Sequence, residues 1–155
     1  MTFRTVRDLL AASPVFGGFS AAALDELAGC GRNERFRPGE VIFREGDAID
    51  RVWILRRGDV AVEIDVPGGE PVVVETLHPG DVLGWAWLDA MPSAMAGARA
   101  ATEVGAVSLD AACVRAKCEA QPEVGYQLFK HWLPQLAARM RGQRLQLLDL
   151  YARDR

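Results

Sequence analysis

The sequence predicts a mainly β fold with flanking helices: an antiparallel sandwich or roll, preceded by short helices and followed by one long helix. Two observations support this. Between Phe36 and Gly84, short β-branched or aromatic runs alternate with turn clusters. From Pro122 onward, apolar residues recur at helical spacing. Strands that follow one another at close, regular intervals favour an antiparallel arrangement over a parallel sheet.

The N-terminal segment is predicted to contain two helices. The first is indicated by three apolar residues that share a helical face: Val6, Leu9 and Leu10. It should end at Ser13-Pro14, because proline disfavours helical backbone in the residue before it. Ser20 has the side chain of a good N-cap. A second helix is therefore expected to begin directly after Ser20, with Leu24 and Leu27 facing inward.

The central segment is predicted to form short strands joined by glycine turns. The expected strands are 41–43, 52–55, 60–66 and 72–76, followed by 98–102 and 106–109. Glycine recurs with proline or aspartate at the intervening turns, where it supplies positive φ angles; these turns are 38–39, 46–47, 57–59, 67–69 and 79–81. Asp110 is expected to cap a short helix over residues 111–120.

The C-terminal segment is predicted to form one long helix from Pro122. Helical spacing relates a series of apolar residues: Val124, Leu128, Trp132, Leu136, Met140, Leu145, Leu148 and Tyr151. Pro134 should kink this helix and Gly142 should weaken it. We therefore expect residues 1–121 to form the roll with its N-terminal helices, and residues 122–155 to form a dimerisation helix.

Glycine-containing motifs, in this order and between strands of this length, resemble the cyclic-nucleotide-binding domain of bacterial Crp/Fnr (catabolite-activator-type) regulators. They are Phe36-x-Pro38-Gly39-Glu40-Val41-Ile42-Phe43-x-Glu45-Gly46-Asp47, Val52-Trp53-Ile54-Leu55-x-x-Gly58-Asp59-Val60, and Pro79-Gly80-Asp81-Val82-Leu83-Gly84. The resemblance implies a jelly roll, or double-stranded β-helix. It also implies a sensory or regulatory role in transcription.

The segment after Gly84 is where the resemblance places ligand recognition. In that family a helix N-terminus faces the cyclic phosphate. A glutamate after the glycine accepts a hydrogen bond from the ribose, and an arginine about ten residues later pairs with the phosphate. Here Trp85 follows Gly84, and Ser93-Ala94-Met95 stand where the arginine is expected. Because indole can only donate a hydrogen bond, both recognition groups are replaced.

Three interpretations of this segment remain open. Its apolar side chains fill the former pocket, or they line a pocket for a more apolar ligand, or Arg99 is a displaced phosphate ligand and a cyclic nucleotide still binds. The third is disfavoured, because too few residues then remain before Asp110 for two strands. Arg99 is instead expected on the strand after the pocket, pointing out of it. The candidate pocket residues are Gly84, Trp85, Ala86, Trp87, Leu88, Met91, Met95 and Arg99.

The apolar stripe of the long helix is wider than a surface helix needs. Part of it should pack on the roll and part should be free for a partner helix. The candidate dimer residues are Phe129, Trp132, Leu133, Leu136, Met140, Leu147 and Tyr151. A homodimer is favoured, and the alternative is an output protein as partner. For the function of the domain, the alternative to a sensor is a dimerisation or docking module with no small-molecule ligand.

Direct DNA binding by this chain is not expected. The sequence ends at Arg155, where the resemblance would place a helix-turn-helix domain, and the net charge is −3. The basic residues Arg139, Arg141 and Arg144 are interpreted as a solvated helix face.

The remaining reactive residues favour neither catalysis nor metal binding. The two histidines, His78 and His131, form no closely spaced pair, so a metal site is rejected. No nucleophile–histidine pair indicates an enzyme. The three cysteines, Cys30, Cys113 and Cys118, form no C-x-x-C motif and are expected to be reduced thiols in a cytoplasmic protein. No apolar run is long enough to cross a bilayer.

Overall fold

The computed structural model describes residues 4–88 and 93–153. Its helices are α1 (Val6–Ala11), α2 (Ala21–Ala28), α3 (Ala111–Ala120) and α4 (Pro122–Arg153), with short 3-10 helices at Pro14–Phe16 and Trp85–Leu88. Its strands are β1 (Gly31–Phe36), β2 (Val41–Phe43), β3 (Arg51–Arg57), β4 (Val60–Ile64), β5 (Val72–Leu77), β6 (Val82–Leu83), β7 (Gly97–Ala100) and β8 (Val104–Asp110).

The described strands form two four-stranded antiparallel sheets, in the orders β1-β8-β3-β6 and β2-β7-β4-β5. Most neighbours in space are distant in sequence, as in a jelly roll. In the first sheet β8 lies between β1 and β3, so that Val107 faces Ile54 across the ladder. The predicted mainly β fold with flanking helices is confirmed.

Side-chain caps fix the starts of the shorter helices. Ser20 accepts a hydrogen bond from the amide of Ala23 at 3.1 Å. Asp110 accepts one from the amide of Cys113 at 2.8 Å. Such caps satisfy amides that would otherwise lack partners in the first helical turn. Both predicted N-caps are therefore confirmed.

The strand predictions need corrections at several ends. The strand β1 was not predicted, because Gly31–Phe36 is mostly polar. It becomes a strand because it pairs with β8 along its whole length. β4 ends at Ile64, before the predicted end at 66, and β7 ends at Ala100 instead of 102. Beyond Ala100 the chain bends, and the amide of Ala101 donates to Asp59 instead.

The buried residues form two clusters. One lies inside the roll, and its members include Leu55, Val60, Leu77 and Val104. The other lies between the first sheet and the helices, and its members include Leu10, Leu27, Ile54, Leu109, Leu128 and Trp132. Burial of this apolar area is the main favourable contribution to folding. The second cluster anchors the first turns of α4 to the roll.

The helix α4 begins at Pro122, as predicted, and runs to Arg153 with Pro134 inside it. Val124, Leu128 and Trp132 are buried. Toward the C-terminus, Met140, Leu147 and Tyr151 are exposed. The division into units 1–121 and 122–155 stays a prediction. No helix in the described ranges combines the length and apolar character that crossing a membrane requires.

Cys30 and Cys113 are joined by a disulfide that links the end of α2 to α3. The expectation of three reduced thiols is therefore wrong for this pair. The two cysteines are 83 residues apart, and only the packing of α3 against the first sheet and α2 brings them together. Cys118 is a free, half-buried thiol, and burial raises its pKa.

Candidate ligand cavity

A cavity of about 800 Å³ lies between the second sheet, the segment after β6 and α4. This volume falls in the range of small-molecule sites. The described lining consists of Phe43, Ile49, Val62, Leu83, Gly84, Trp85, Ser93, Ala94, Met95, Ala96, Leu136 and Arg139. The described residues leave this space open, and the choice between a filled former pocket and a pocket for an apolar ligand stays a prediction.

Gly84 sets the direction in which the chain leaves β6. Its φ is +98°, a conformation that favours glycine. A Cβ there would lie 2.9 Å from the Arg51 carbonyl oxygen and 3.2 Å from the Trp53 ring. The glycine lets the chain turn directly into the 3-10 helix Trp85–Leu88. This turn places Trp85 at the cavity.

The two tryptophans of the predicted pocket have different surroundings. Trp85 lines the cavity and makes an edge contact with Trp132, with ring centroids 5.7 Å apart. Trp87 is buried in the helix-facing core, 6.5 Å from Trp132, and is absent from the described lining. Trp87 is thus a core residue instead of a pocket residue. The side chains of Trp85 and Trp87 point in different directions because residues two apart in a helix lie on different faces.

The other predicted pocket residues have different positions in the structure. Gly84 and Met95 line the cavity, and Met95 is 90 % exposed, so it lies at the rim. Ala86 and Leu88 belong to the 3-10 helix. Met91 lies outside the described residues.

Residues 93–96 stand where the resemblance implies a phosphate-binding arginine. Ser93 pairs with Ala48 in an isolated bridge. Ala94 exchanges two backbone hydrogen bonds with the turn before β3: its carbonyl accepts from Gly46 at 2.7 Å, and its amide donates to Asp47 at 2.8 Å. The segment is held firmly at the cavity wall, but it presents a hydroxyl, small apolar side chains and a thioether instead of a cation.

Arg99 lies on β7, as predicted, and is outside the cavity. Its neighbours Ala98 and Ala100 are buried, so Arg99 points to the opposite face of the strand. Its guanidinium donates to the Gly39 carbonyl at 2.9 Å and lies 3.4 Å from the carboxylate of Glu63. Arg99 is absent from the described lining. Its inclusion among the candidate pocket residues needs correction, because strand alternation directs its side chain outward.

Arg139 lines the cavity, and the sequence interpretation missed it. It was interpreted as part of a solvated helix face, but its side chain is only 22 % exposed. It forms a two-point ion pair with Glu75 of β5 at 2.9 and 2.7 Å, and it donates to the Val82 carbonyl of β6 at 2.8 Å. One sequence signal could have located it: Arg139 follows Leu136 by three residues, and such residues share a helical face.

The predicted dimer residues of α4 also separate into two groups. Trp132 is buried in the core and Leu136 lines the cavity, so these two assignments are corrected. The reason is that α4 packs on the roll through its first half. The remaining residues are exposed and form what we call the apolar stripe of α4: Phe129, Leu133, Met140, Leu147 and Tyr151.

The described ranges contain no group of three or more His, Cys, Asp or Glu side chains positioned for a metal ion. His78 lies at the turn before β6, away from the cavity lining. The carboxylate of Asp59 accepts a hydrogen bond from the ring Nδ1 of His78 at 2.8 Å, and this bond raises the pKa of His78. This pair fastens two turns of the roll to each other.

Comparisons with known proteins agree with this architecture. Residues 33–121 match the family model described as cyclic nucleotide-binding domain. The chain belongs to this family. The "CRP-like cAMP-activated global transcriptional regulator" of Mycobacterium tuberculosis is 29 % identical over 147 residues, which are 95 % of this chain and 64 % of the relative. The "HTH-type transcriptional regulator Cmr" of the same species is 30 % identical over 121 residues, 77 % of this chain and 47 % of the relative.

Solved structures support the same assignment. The catabolite activator protein of Thermus thermophilus superposes with a TM-score of 0.69 at 26 % identity, covering 90 % of this chain and 63 % of that one. A cyclic nucleotide-binding domain from Methylobacillus flagellatus gives a TM-score of 0.78 at 19 % identity, covering 93 % and 81 %, and shows the fold alone. The domain is therefore of the Crp/Fnr type. This chain spans less than two thirds of the curated relatives' length.

Proposed function

We propose that this domain is a sensory unit whose cavity binds a small molecule other than a cyclic nucleotide. The observation that carries the proposal is the position of the arginines. Arg99 faces away from the cavity, and Arg139, which does line it, is already paired with Glu75. No other lysine or arginine belongs to the described lining. The phosphate of a cyclic nucleotide would enter an apolar space without an unpaired cation.

The energetic consequence for nucleotide binding is large. Removal of one partner from a buried, charge-assisted contact costs about 2–5 kcal/mol. This corresponds to a loss of roughly 30- to 5,000-fold in affinity. Trp85 also replaces the acceptor expected to bind the ribose, and indole cannot accept a hydrogen bond. We therefore expect no binding of cAMP or cGMP at micromolar concentration.

Isothermal titration calorimetry of the nucleotide-free protein with cAMP and then cGMP tests this proposal. The unaltered protein should give no binding heat, whereas the double variant Trp85→Glu/Ser93→Arg, which adds both missing groups, should gain cAMP affinity. The matched control is Trp85→Glu/Ser93→Gln, which lacks the cation and should stay inactive. Micromolar binding by the unaltered protein would refute the proposal. Loss of that binding in Arg99→Ala would then identify Arg99 as the phosphate ligand.

A second proposed role is dimerisation through the apolar stripe of α4. Leu133, Met140 and Leu147 are 49 %, 55 % and 55 % exposed, although they are large apolar residues at helical spacing. Contiguous exposed apolar surface is typical of an interaction site. The favoured partner is a second copy of this chain, paired through α4. An output protein is the alternative partner.

Sedimentation equilibrium distinguishes these partners. A homodimer should dissociate at least tenfold more readily in the variant Leu147→Glu, because a carboxylate would be buried at the interface. Ala138→Glu is the control, since Ala138 is exposed on the opposite face of α4. At about 100 µM, a dimer with a Kd of about 1 µM would be almost fully formed. Unaltered protein that remains monomeric at that concentration would therefore exclude the homodimer.

A further inference from the structure

We infer that the cavity selects an uncharged, apolar small molecule. This inference rests on the proposed function and specifies the chemical class of its ligand. Of the described lining residues, Arg139 alone carries a formal charge. The two Glu75 contacts and the bond to the Val82 carbonyl use three of the five N–H donors of the guanidinium, and the Glu75 carboxylate balances its charge. Along the described lining, the one formal charge is therefore balanced by an ion pair.

Charged ligands of either sign are disfavoured by this arrangement. An anion that took the place of Glu75 on the guanidinium would displace a carboxylate whose side chain is only 18 % exposed. The displaced carboxylate would remain largely buried without a partner, which is strongly unfavourable. A cation would lie near Arg139, and the described lining offers it no unpaired carboxylate. Among the described lining residues, neither sign of charge finds an unpaired partner of opposite charge to offset its loss of water.

Apolar ligands meet favourable surfaces on several sides. Phe43 and Trp85 supply aromatic area, Leu136 supplies an aliphatic surface from α4, and Met95 lies at the rim. Aromatic rings contribute large contact area, and the flexible thioether of methionine adapts to irregular shapes. Ser93 is the one hydroxyl group in the described lining. A ligand with one or two rings and few polar atoms fits this chemistry.

Two related fluorescent probes test the inference. N-phenyl-1-naphthylamine is uncharged, and 8-anilino-1-naphthalenesulfonate has the same ring skeleton with an added anionic group. The uncharged probe should bind at least tenfold more tightly to the unaltered protein. The variant Glu75→Gln should release Arg139 and raise the affinity for the sulfonate at least tenfold, with little change for the uncharged probe. Glu63→Gln is the control, because Glu63 pairs with Arg99 on the outer face.

A second pair of variants locates the bound probe. Leu136→Trp should fill the cavity and weaken binding of the uncharged probe at least tenfold, whereas Ala138→Trp, on the exposed opposite face of α4, should leave it unchanged. Binding that Leu136→Trp does not alter would place the probe elsewhere and overturn the inference. Equal or tighter binding of the sulfonate to the unaltered protein would also overturn it, as would binding of neither probe. Displacement of the uncharged probe by cAMP would instead refute the proposed function.

Discussion

Replacement of Trp132 by alanine should destabilise the whole domain, because this side chain joins α4 to the rest of the core. Trp132 is 1 % exposed and contacts the rings of Phe16, Trp85 and Trp87. Its indole N–H donates to the carbonyl of Val15 at 3.2 Å. The substitution removes the packing of both the N-terminal segment and the 3-10 helix against α4.

The expected cost follows from these contacts. Large-to-small substitution of a buried tryptophan costs about 3–5 kcal/mol, and the unpaired Val15 carbonyl adds about 1 kcal/mol. Since domains of this kind have a free energy of unfolding of about 5–15 kcal/mol, the variant should lose roughly half of it. Trp132→Phe, which retains a ring but loses the hydrogen bond, should cost about 1–2 kcal/mol.

Urea unfolding followed by far-ultraviolet circular dichroism measures this effect. The midpoint should fall for Trp132→Ala with the slope unchanged. Phe129→Ala is the matched control, because Phe129 is on the same helix but 41 % exposed, and it should cost about 1 kcal/mol or less. Equal costs for the two alanine variants would refute the placement of Trp132 in the core. They would support its original prediction as an exposed dimer residue.

Further predictions concern the turns and the cysteines. Gly58→Ala should lower the free energy of unfolding by at least about 2 kcal/mol more than Gly39→Ala. Both glycines have positive φ, but only at Gly58 would the new Cβ collide with the backbone carbonyl of Glu103. Equal shifts of the melting temperature in the two variants would contradict this. The hydrogen bond that the His78 ring donates to the Asp59 carboxylate raises the pKa of His78 above 6.5. The pair therefore stabilises the fold below pH 6.5, and its contribution disappears as the pH rises through the raised value. Asp59→Asn should return the pKa in an NMR titration toward 6.5, and an unchanged titration would count against the pair. Thiol titration of the denatured protein should find one reactive cysteine before reduction and three after it. Reduction should also lower the free energy of unfolding by about 2–4 kcal/mol. Three reactive thiols without reductant would show that the disulfide is absent.

The cavity and the helix α4 share structural elements. Leu136 and Arg139 of α4 line the cavity. Trp85 also lines the cavity, and it packs against Trp132 of α4. A ligand between them would contact the roll and the helix at once. Such contacts would stabilise the packing of α4 on the roll against local opening. Hydrogen exchange of α4 amides should therefore change when a ligand fills the cavity.

Local patterns in the sequence determined the secondary structure and the family. The glycine turns, the caps at Ser20 and Asp110, and the helical spacing after Pro122 depend on interactions between residues close in the chain. The absence of a glutamate after Gly84 and of an arginine at 93–95 could also be read directly. These observations predicted the fold and an altered ligand site.

The tertiary structure decided which side of each element faces the core, the cavity or the solvent. β1 is polar and becomes a strand only through pairing with β8. Trp87 and Trp132 belong to the core, Leu136 and Arg139 belong to the cavity, and Cys30 meets Cys113 across 83 residues. The physical reason is that burial and ion pairing depend on contacts between distant segments. The sequence shows which side chains are hydrophobic or charged and therefore need contact partners. Only the packed fold determines which residues those partners are.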